Sequence, residues 1–274
     1  MRANINQRQA DTAREAAELL WRHRGAGTVL PALPPALRPS NHAQGHAIQA
    51  QLPLVAGERV VGWKIAATSQ AGQAHINVGG PLAGRILSSF VVDAGVALSL
   101  AGNRMRVAEP EFGFRLGRDL APRPTPYALP EVLDAVASLH AAFEIPDSRF
   151  ADFARAGEAQ LIADDACCGR FVFGAAAPEG WRAIDLRLHA VHGSVRSADG
   201  RASLTRSGDG SAVLGDPRVA LAWLVNELSS LGITLEAGQL VSTGTCMVPM
   251  AIAPGDRARA DFGVLGSVAL AFTA

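Results

Sequence analysis

Lysine is almost missing from this chain. Of its 25 basic residues, twenty-four are arginine and one, Lys64, is lysine. Excess charge of one sign is missing too, since 25 acidic residues balance the basic ones. Without a net positive field, general binding to a phosphate backbone is not expected. No uncharged apolar run reaches about 18 residues, which leaves no candidate for a membrane-spanning helix. The opening segment, MRANINQRQADTAREAAELL, has no apolar core, so no secretory leader is expected. Cysteine is scarce: Cys167, Cys168 and Cys246 are an odd set with an adjacent pair, which reads as reduced thiols in a cytoplasmic protein. Several catalytic signatures are also absent. There is no G-x-S-x-G elbow, G-x-G-x-x-G turn, P-loop or H-E-x-x-H helix, so serine-hydrolase, dinucleotide and zincin readings lose their main support.

What is present is a chain of 274 residues, 49% hydrophobic, too apolar for disorder and long enough for one large domain or two small ones. Asn6 to Arg24 has helical spacing, with Ala13, Ala16, Ala17, Leu20 and Trp21 on one face. After four prolines between Pro31 and Pro39, Ser40 is the expected cap of a short helix ending near Leu52. From there the pattern turns toward strands. Val60 to Ala67, Met105 to Leu116, Ala142 to Asp147, Gly169 to Gly174 and Ala183 to Val195 are predicted strands, with a helix over Pro130 to His140 after the proline-rich loop from Ala121. Asp216 before Pro217, with Gly232 beyond, predicts a helix over Pro217 to Leu231. Leu240 to Thr243 resumes the strands, and Arg257 to Phe262 and Ser267 to Phe272 pair as a hairpin. These elements predict a mixed α/β fold with a complex β core, preceded by a helical region over residues 1–57 and followed through residues 58–274.

Chemistry concentrates in a few residues. Lys64 sits in Val61-Gly62-Trp63-Lys64-Ile65, an apolar setting that is costly for an ammonium. Glu109 and Glu111 are two apart on a strand and project from one face, where they repel each other. A hard divalent cation such as Mg²⁺ or Mn²⁺ removes that conflict, whereas an exposed edge strand would leave both simply solvated. Glu144 is a third carboxylate set among apolar residues. A metal chelating a 2-oxo acid would stabilise the enolate formed by deprotonating a neighbouring carbon. A lysine with its pKa lowered by burial, or a water it orients, would then shuttle the proton. A Schiff base is the other use of such an amine and needs no metal. His42 with His46, and His189 with His192, lack acidic or thiol neighbours at ligand spacing and read as surface or capping residues.

Seven segments, in order, resemble the fumarylacetoacetate hydrolase superfamily in its 2-keto-4-pentenoate hydratase and 4-oxalocrotonate decarboxylase branch. Gly62-Trp63-Lys64-Ile65-Ala66-Ala67-Thr68-Ser69 is similar to the branch's G-[YW]-K-I-[GA]-x-T-S, and Glu109-Pro110-Glu111 with Leu116-Gly117-Arg118-Asp119-Leu120 to its E-x-E and L-G-x-D-L. Phe143 to Arg149, Ala163 to Gly169, Gly215 to Leu224, Ser242 to Thr245, and Ala253 to Asp256 with Gly266 to Val268 complete the set. The resemblance implies a β-roll core and Glu109, Glu111 and Glu144 as Mg²⁺ or Mn²⁺ ligands. It implies Lys64 as the active-site lysine, with Ile65 (through its backbone), Cys167 and Thr245 lining the substrate pocket. The implied reaction, in the breakdown of aromatic compounds, is ketonisation of a 2-hydroxy-2,4-dienoate and addition of water to give a 4-hydroxy-2-oxo acid. Decarboxylation of a 4-oxalocrotonate-type acid, acylpyruvate carbon–carbon hydrolysis and a low-activity homologue are the alternatives. Homodimers or larger assemblies, and a complex with a neighbouring pathway enzyme, are implied as partners. Two positions depart from the branch: Gly79 stands where V-D-x-P has its acid, and Asp165 replaces an Asn. Asp165 is therefore the expected catalytic substitute for the missing acid.

Overall fold

The computed structural model describes residues 2–200 and 203–274, with no side chains described for residues 2–6. The described residues form seven α-helices and twelve strands: α1 Arg2–Ala26, α2 His42–Gln49, α3 Leu52–Ala56, β1 Val60–Ala66, α4 Gln70–Ile76, β2 Leu82–Leu87, β3 Leu98–Ser99, β4 Val107–Leu116, α5 Leu129–Asp134, β5 Val136–Ile145, α6 Glu158–Ala163, β6 Arg170–Ala176, β7 Ala190–Arg196, β8 Ser203–Asp209, α7 Pro217–Ser230, β9 Leu240–Thr245, β10 Met250–Ala251, β11 Arg257–Asp261 and β12 Ser267–Thr273. The fold is mixed α/β. No helix among them is long and apolar enough to cross a membrane.

The larger sheet runs β2-β1-β9-β4-β5-β6, with β10 added to β4. Its two ends are tied together: Val91, just beyond β2, bridges Phe171 of β6, and Val92 N–H donates to Phe171 O at 2.8 Å. The sheet therefore rolls around an interior. The smaller sheet, β3-β12-β11-β7-β8, covers the outer face of β4, where Phe112 meets Phe262 edge-on at 5.1 Å. Alternation along β4 sends Phe112 and Phe114 into this shared core and leaves Glu109, Glu111 and Gly113 on the opposite face.

α1 buries the stripe Ala13, Ala16, Ala17 and Leu20, and Trp21 stacks near Phe90. With Ile48, Leu52, Phe150, Leu161 and Ile162 the four stripe residues form a second apolar cluster, while Trp21 and Phe90 belong to a third. α7 is capped as expected, Asp216 accepting from Arg218 N, and the hairpin of β11 and β12 pairs from Arg257↔Ala271 to Asp261↔Ser267.

Three expectations need correction. The helix expected over Pro130 to His140 stops at Asp134, and Val136 begins the ten-residue β5. β4 pairs this stretch from Val136 to His140 and β6 joins from His140 onward, and that ladder outweighs the local helical leaning. The strand expected from Ala183 is two short 3₁₀ turns, and pairing starts only at Ala190. Asp185 accepts from Arg187 N, and this local bond turns the backbone, burying Leu186 while Leu188 is 63% exposed. Finally, α2 is capped by Asn41, whose side chain accepts from Gln44 N, and not by Ser40.

Candidate metal centre

The interior of the roll gathers the residues singled out from sequence. β4 and β5 pair in a register that sets Glu109 directly opposite Glu144, and Glu111 opposite Ala142. One carboxylate oxygen from each of Glu109, Glu111 and Glu144 lies within 4.8 Å of the others. Glu111 and Glu144 are buried and Glu109 is partly exposed, so the cluster opens to solvent on the Glu109 side. Lys64 on β1 is 2% exposed, with Nζ 3.2 Å from Glu144 Oε2 and donating to Ala166 O at 2.9 Å.

Burial pushes all three glutamates upward, Glu109 to about 8; repulsion from the neighbouring carboxylates adds to this at Glu109 and Glu111, whereas at Glu144 the Lys64 ammonium partly offsets it. Lys64 is a correction. Burial alone pulls its amine down, but Glu144, with Cys168, Cys167 and Glu109, more than offsets that, so Lys64 is held as an ammonium above its ordinary value. One positive charge does not balance three carboxylates.

Two further observations fit a cation. Glu111 Oε1 and Glu144 Oε1 are buried without a hydrogen-bond partner, a costly state for carboxylate oxygens. The other oxygen of Glu111 is fixed by Ser242 Oγ at 2.6 Å and Gly244 N–H at 2.8 Å. An all-oxygen set with one open side matches what hard divalent ions take.

The remaining candidates fall around this centre. Thr245 ends β9 opposite Glu111, its hydroxyl donating to Met247 O. Ile65 turns its side chain into the core, while its carbonyl lies beside Gly244. Asp165 and Cys167 flank Ala166 in a turn where φ is +58°, +53° and +59°. Three successive non-glycine residues in the left-handed region cost roughly 1–2 kcal/mol each. Burial pushes Asp165 up to about 7 and the Cys167 thiol up to about 12. Gly79 stands apart, its N–H donating to Glu158 Oε2 at 2.9 Å.

His42, expected to lack an acidic neighbour, pairs with that same Glu158, and His46 lies 3.8 Å from Glu227. Both acids come from distant helices, so spacing along the sequence could not reveal them. His189 faces Phe262 O and His192 faces Ser207 Oγ. Sequence reasoning also missed Ser242, the Ala166 carbonyl and Gly84. A Cβ at Gly84 would lie 2.5 Å from Asp165 O and 3.0 Å from Lys64 Cδ, so glycine there makes room for both.

A rolled mixed sheet holding three clustered carboxylates and a buried amine has the architecture and the site expected of the superfamily that the seven sequence segments resemble. No family profile matches the chain. It is 33% identical over 262 residues to the 2-keto-4-pentenoate hydratase of Paraburkholderia xenovorans strain LB400, covering 94% of each. Identity to a 4-oxalocrotonate decarboxylase from a Pseudomonas species is 35% over 217 residues, covering 79% of this chain and 80% of that one. Among solved structures, the 4-oxalocrotonate decarboxylase of Pseudomonas putida G7, complexed with magnesium and adipate, matches with a TM-score of 0.83 at 24% identity, over 96% of this chain and 97% of that one. The chain belongs to the 2-keto-4-pentenoate hydratase and 4-oxalocrotonate decarboxylase family of that superfamily.

Proposed function

We propose that this enzyme is a divalent-metal-dependent hydro-lyase that adds water to 2-hydroxypenta-2,4-dienoate or a close analogue, giving a 4-hydroxy-2-oxo acid. The observation that carries the reading is the buried Lys64 ammonium set 3.2 Å from one of three clustered carboxylates. Glu109, Glu111 and Glu144 would hold Mg²⁺ or Mn²⁺, which when bound would supply Lewis-acid stabilisation of the enolate formed from a 2-oxo acid. Glu111 keeps one orientation through Ser242 and Gly244, so a ligand oxygen is already in place before substrate arrives. Lys64, held charged by Glu144, hands a proton to the dienol carbon chain during ketonisation and recovers one as the 2-hydroxyl loses its own, so the amine ends the step as an ammonium again. A charged amine is a poor nucleophile, which favours proton transfer over a Schiff base. Thr245, Cys167 and the Ile65 backbone line the pocket.

Decarboxylation of a 4-oxalocrotonate-type acid is the second reading, favoured by the 35% identity to a named decarboxylase. One assay separates the two. Metal-dependent loss of dienoate absorbance with a hydrated product supports the hydratase, release of CO₂ supports the decarboxylase, and absence of both refutes the assignment. Three buried free cysteines support a reducing, cytoplasmic setting. The separate apolar cluster under α1 and α2 supports treating residues 1–57 as a region packed on a core of residues 58–274. Assembly as a homodimer or larger, and association with a neighbouring pathway enzyme, complete the proposal.

A further inference from the structure

The left-handed turn of residues 165–167 is held from three directions. Asp165 Oδ1 accepts from Arg85 N–H at 2.6 Å, across from β2. Cys167 O accepts from Asp147 N–H at 3.0 Å, three residues beyond Glu144. Cys168 N–H closes the turn on Asp165 O at 2.9 Å. The neighbouring Asp164 carboxylate is held by Ser148 Oγ and Arg149 N–H, each at 2.7 Å. The residue at the centre, Ala166, turns its carbonyl onto Lys64 Nζ. Strain kept by so many bonds marks a segment whose shape is used.

We propose that Asp165 is a positioning residue for Lys64: by gripping the Arg85 N–H it keeps the turn wound so that the Ala166 carbonyl stays on the amine. An ammonium has three N–H directions. With one on Ala166 O and one toward Glu144 Oε2, the third is fixed in space. Gly84 belongs to the same device, because any side chain there would strike the Asp165 carbonyl and the Lys64 stem. Asp165 then needs only an acceptor oxygen, not an exchangeable proton, and it does not replace the acid missing at Gly79. This inference rests on the reading of Lys64 as the group that moves the proton.

The composition supplies the test, since a chain with one lysine gives one side-chain amine resonance after labelling with ¹⁵Nζ-lysine. Asp165→Asn keeps the acceptor and Asp165→Ala removes it. Relative to wild type, Asp165→Ala will lose about 100-fold in kcat with KM changed less than about threefold, the scale expected when a reacting group is displaced by about an ångström. Its metal-free Nζ resonance will shift or broaden, whereas Asp165→Asn will restore the signal and keep kcat within about threefold of wild type. An Asn variant as slow as the Ala variant overturns the proposal, because the exchangeable proton or the charge would then be what matters. An Ala variant with lowered melting temperature but unchanged kcat and Nζ signal also overturns it, leaving a structural role alone. If Asp165→Ala fails to fold, Asp165→Ser, whose hydroxyl stops one bond short of Arg85 N–H, is read in the same way. Should wild type turn over no dienoate, the functional reading fails separately, and the Nζ resonance of the variants alone decides whether Asp165 positions the amine.

Discussion

Metal-free protein taken from about pH 5 to about pH 8 will lose stability, and a divalent cation will cancel the loss. Burial, and then the nearby Glu144, raise Glu109 from 4.5 to about 8, so between those values the folded chain holds a proton that the unfolded chain has released. Stability from this source is complete below about pH 4.5 and is lost as the pH climbs through about 8. At about 1.36 kcal/mol per unit, full ionisation of Glu109 costs about 5 kcal/mol. Glu109 is partly exposed, and water entering the site screens the charge, which lowers the expected loss to about 2–4 kcal/mol, or roughly 5–15 °C in Tm. Glu111 and Glu144, also raised by burial, add in the same direction. Because bound metal requires ionised carboxylates, the rise in Tm given by millimolar Mg²⁺ will grow with pH. Thermal unfolding with and without EDTA across this range is the assay. Glu109→Gln will remove its share of the apo slope and abolish the Mg²⁺ response. A Mg²⁺ shift equal at both ends of the range, or one surviving in Glu109→Gln, refutes the ligand assignment.

Lys64→Met will lower kcat by at least about 10³-fold while Mg²⁺ binding, followed calorimetrically, persists, since the triad remains; loss of binding instead would make Lys64 part of the metal site. Gly84→Ala forces a Cβ to within 2.5 Å of Asp165 O, and its expected cost is about 1–3 kcal/mol in denaturant unfolding, with a larger drop in kcat than in 1/KM. Unchanged kinetics would show that the close fit at Gly84 is not used. Gly79→Asp will place a carboxylate near Glu158 Oε2, 3.7 Å from the new Cβ. If an acid here serves proton transfer, turnover rises; an unchanged rate sinks that idea.

The site was more legible than the fold because its residues are chemically conspicuous. A lone lysine among apolar neighbours, two glutamates at strand spacing and a third between Phe143 and Ile145 each violate ordinary burial preferences, and the structure brings all four together. α7 was readable because Asp216, Pro217 and Gly232 mark its ends locally. By contrast, β5 takes its state from β4 and β6, and His140 and Leu139 carry no local mark of that. Ile184, Leu186 and Leu188 alternate as a strand does, yet Asp185 bends them into turns. The strand β2, wholly buried and containing Gly84 and Arg85, showed no alternation from which to predict it. Asp165, expected as a catalytic acid from a single substitution, depends on Arg85 and Ala166, contacts that no spacing encodes.

The position of β9 between β1 and β4 has a consequence for the order in which the chain becomes an enzyme. Lys64, Glu109, Glu111 and Glu144 are all synthesised in the first 144 residues, and Lys64 can pair early with Gly84 of β2, yet the β1 edge that faces β4 is joined only through β9, where Lys64 meets Ser242, and Glu111 receives its fixed orientation from Ser242 and Gly244. During synthesis the charged cluster therefore waits, with the facing edges of β1 and β4 unpaired, until residues 240–245 leave the ribosome and slide between two older strands. Such late, long-range insertion is slow. It also gives the incomplete chain a period with open strand edges, and a nascent chain truncated before β9 is expected to aggregate with its metal ligands present but unassembled.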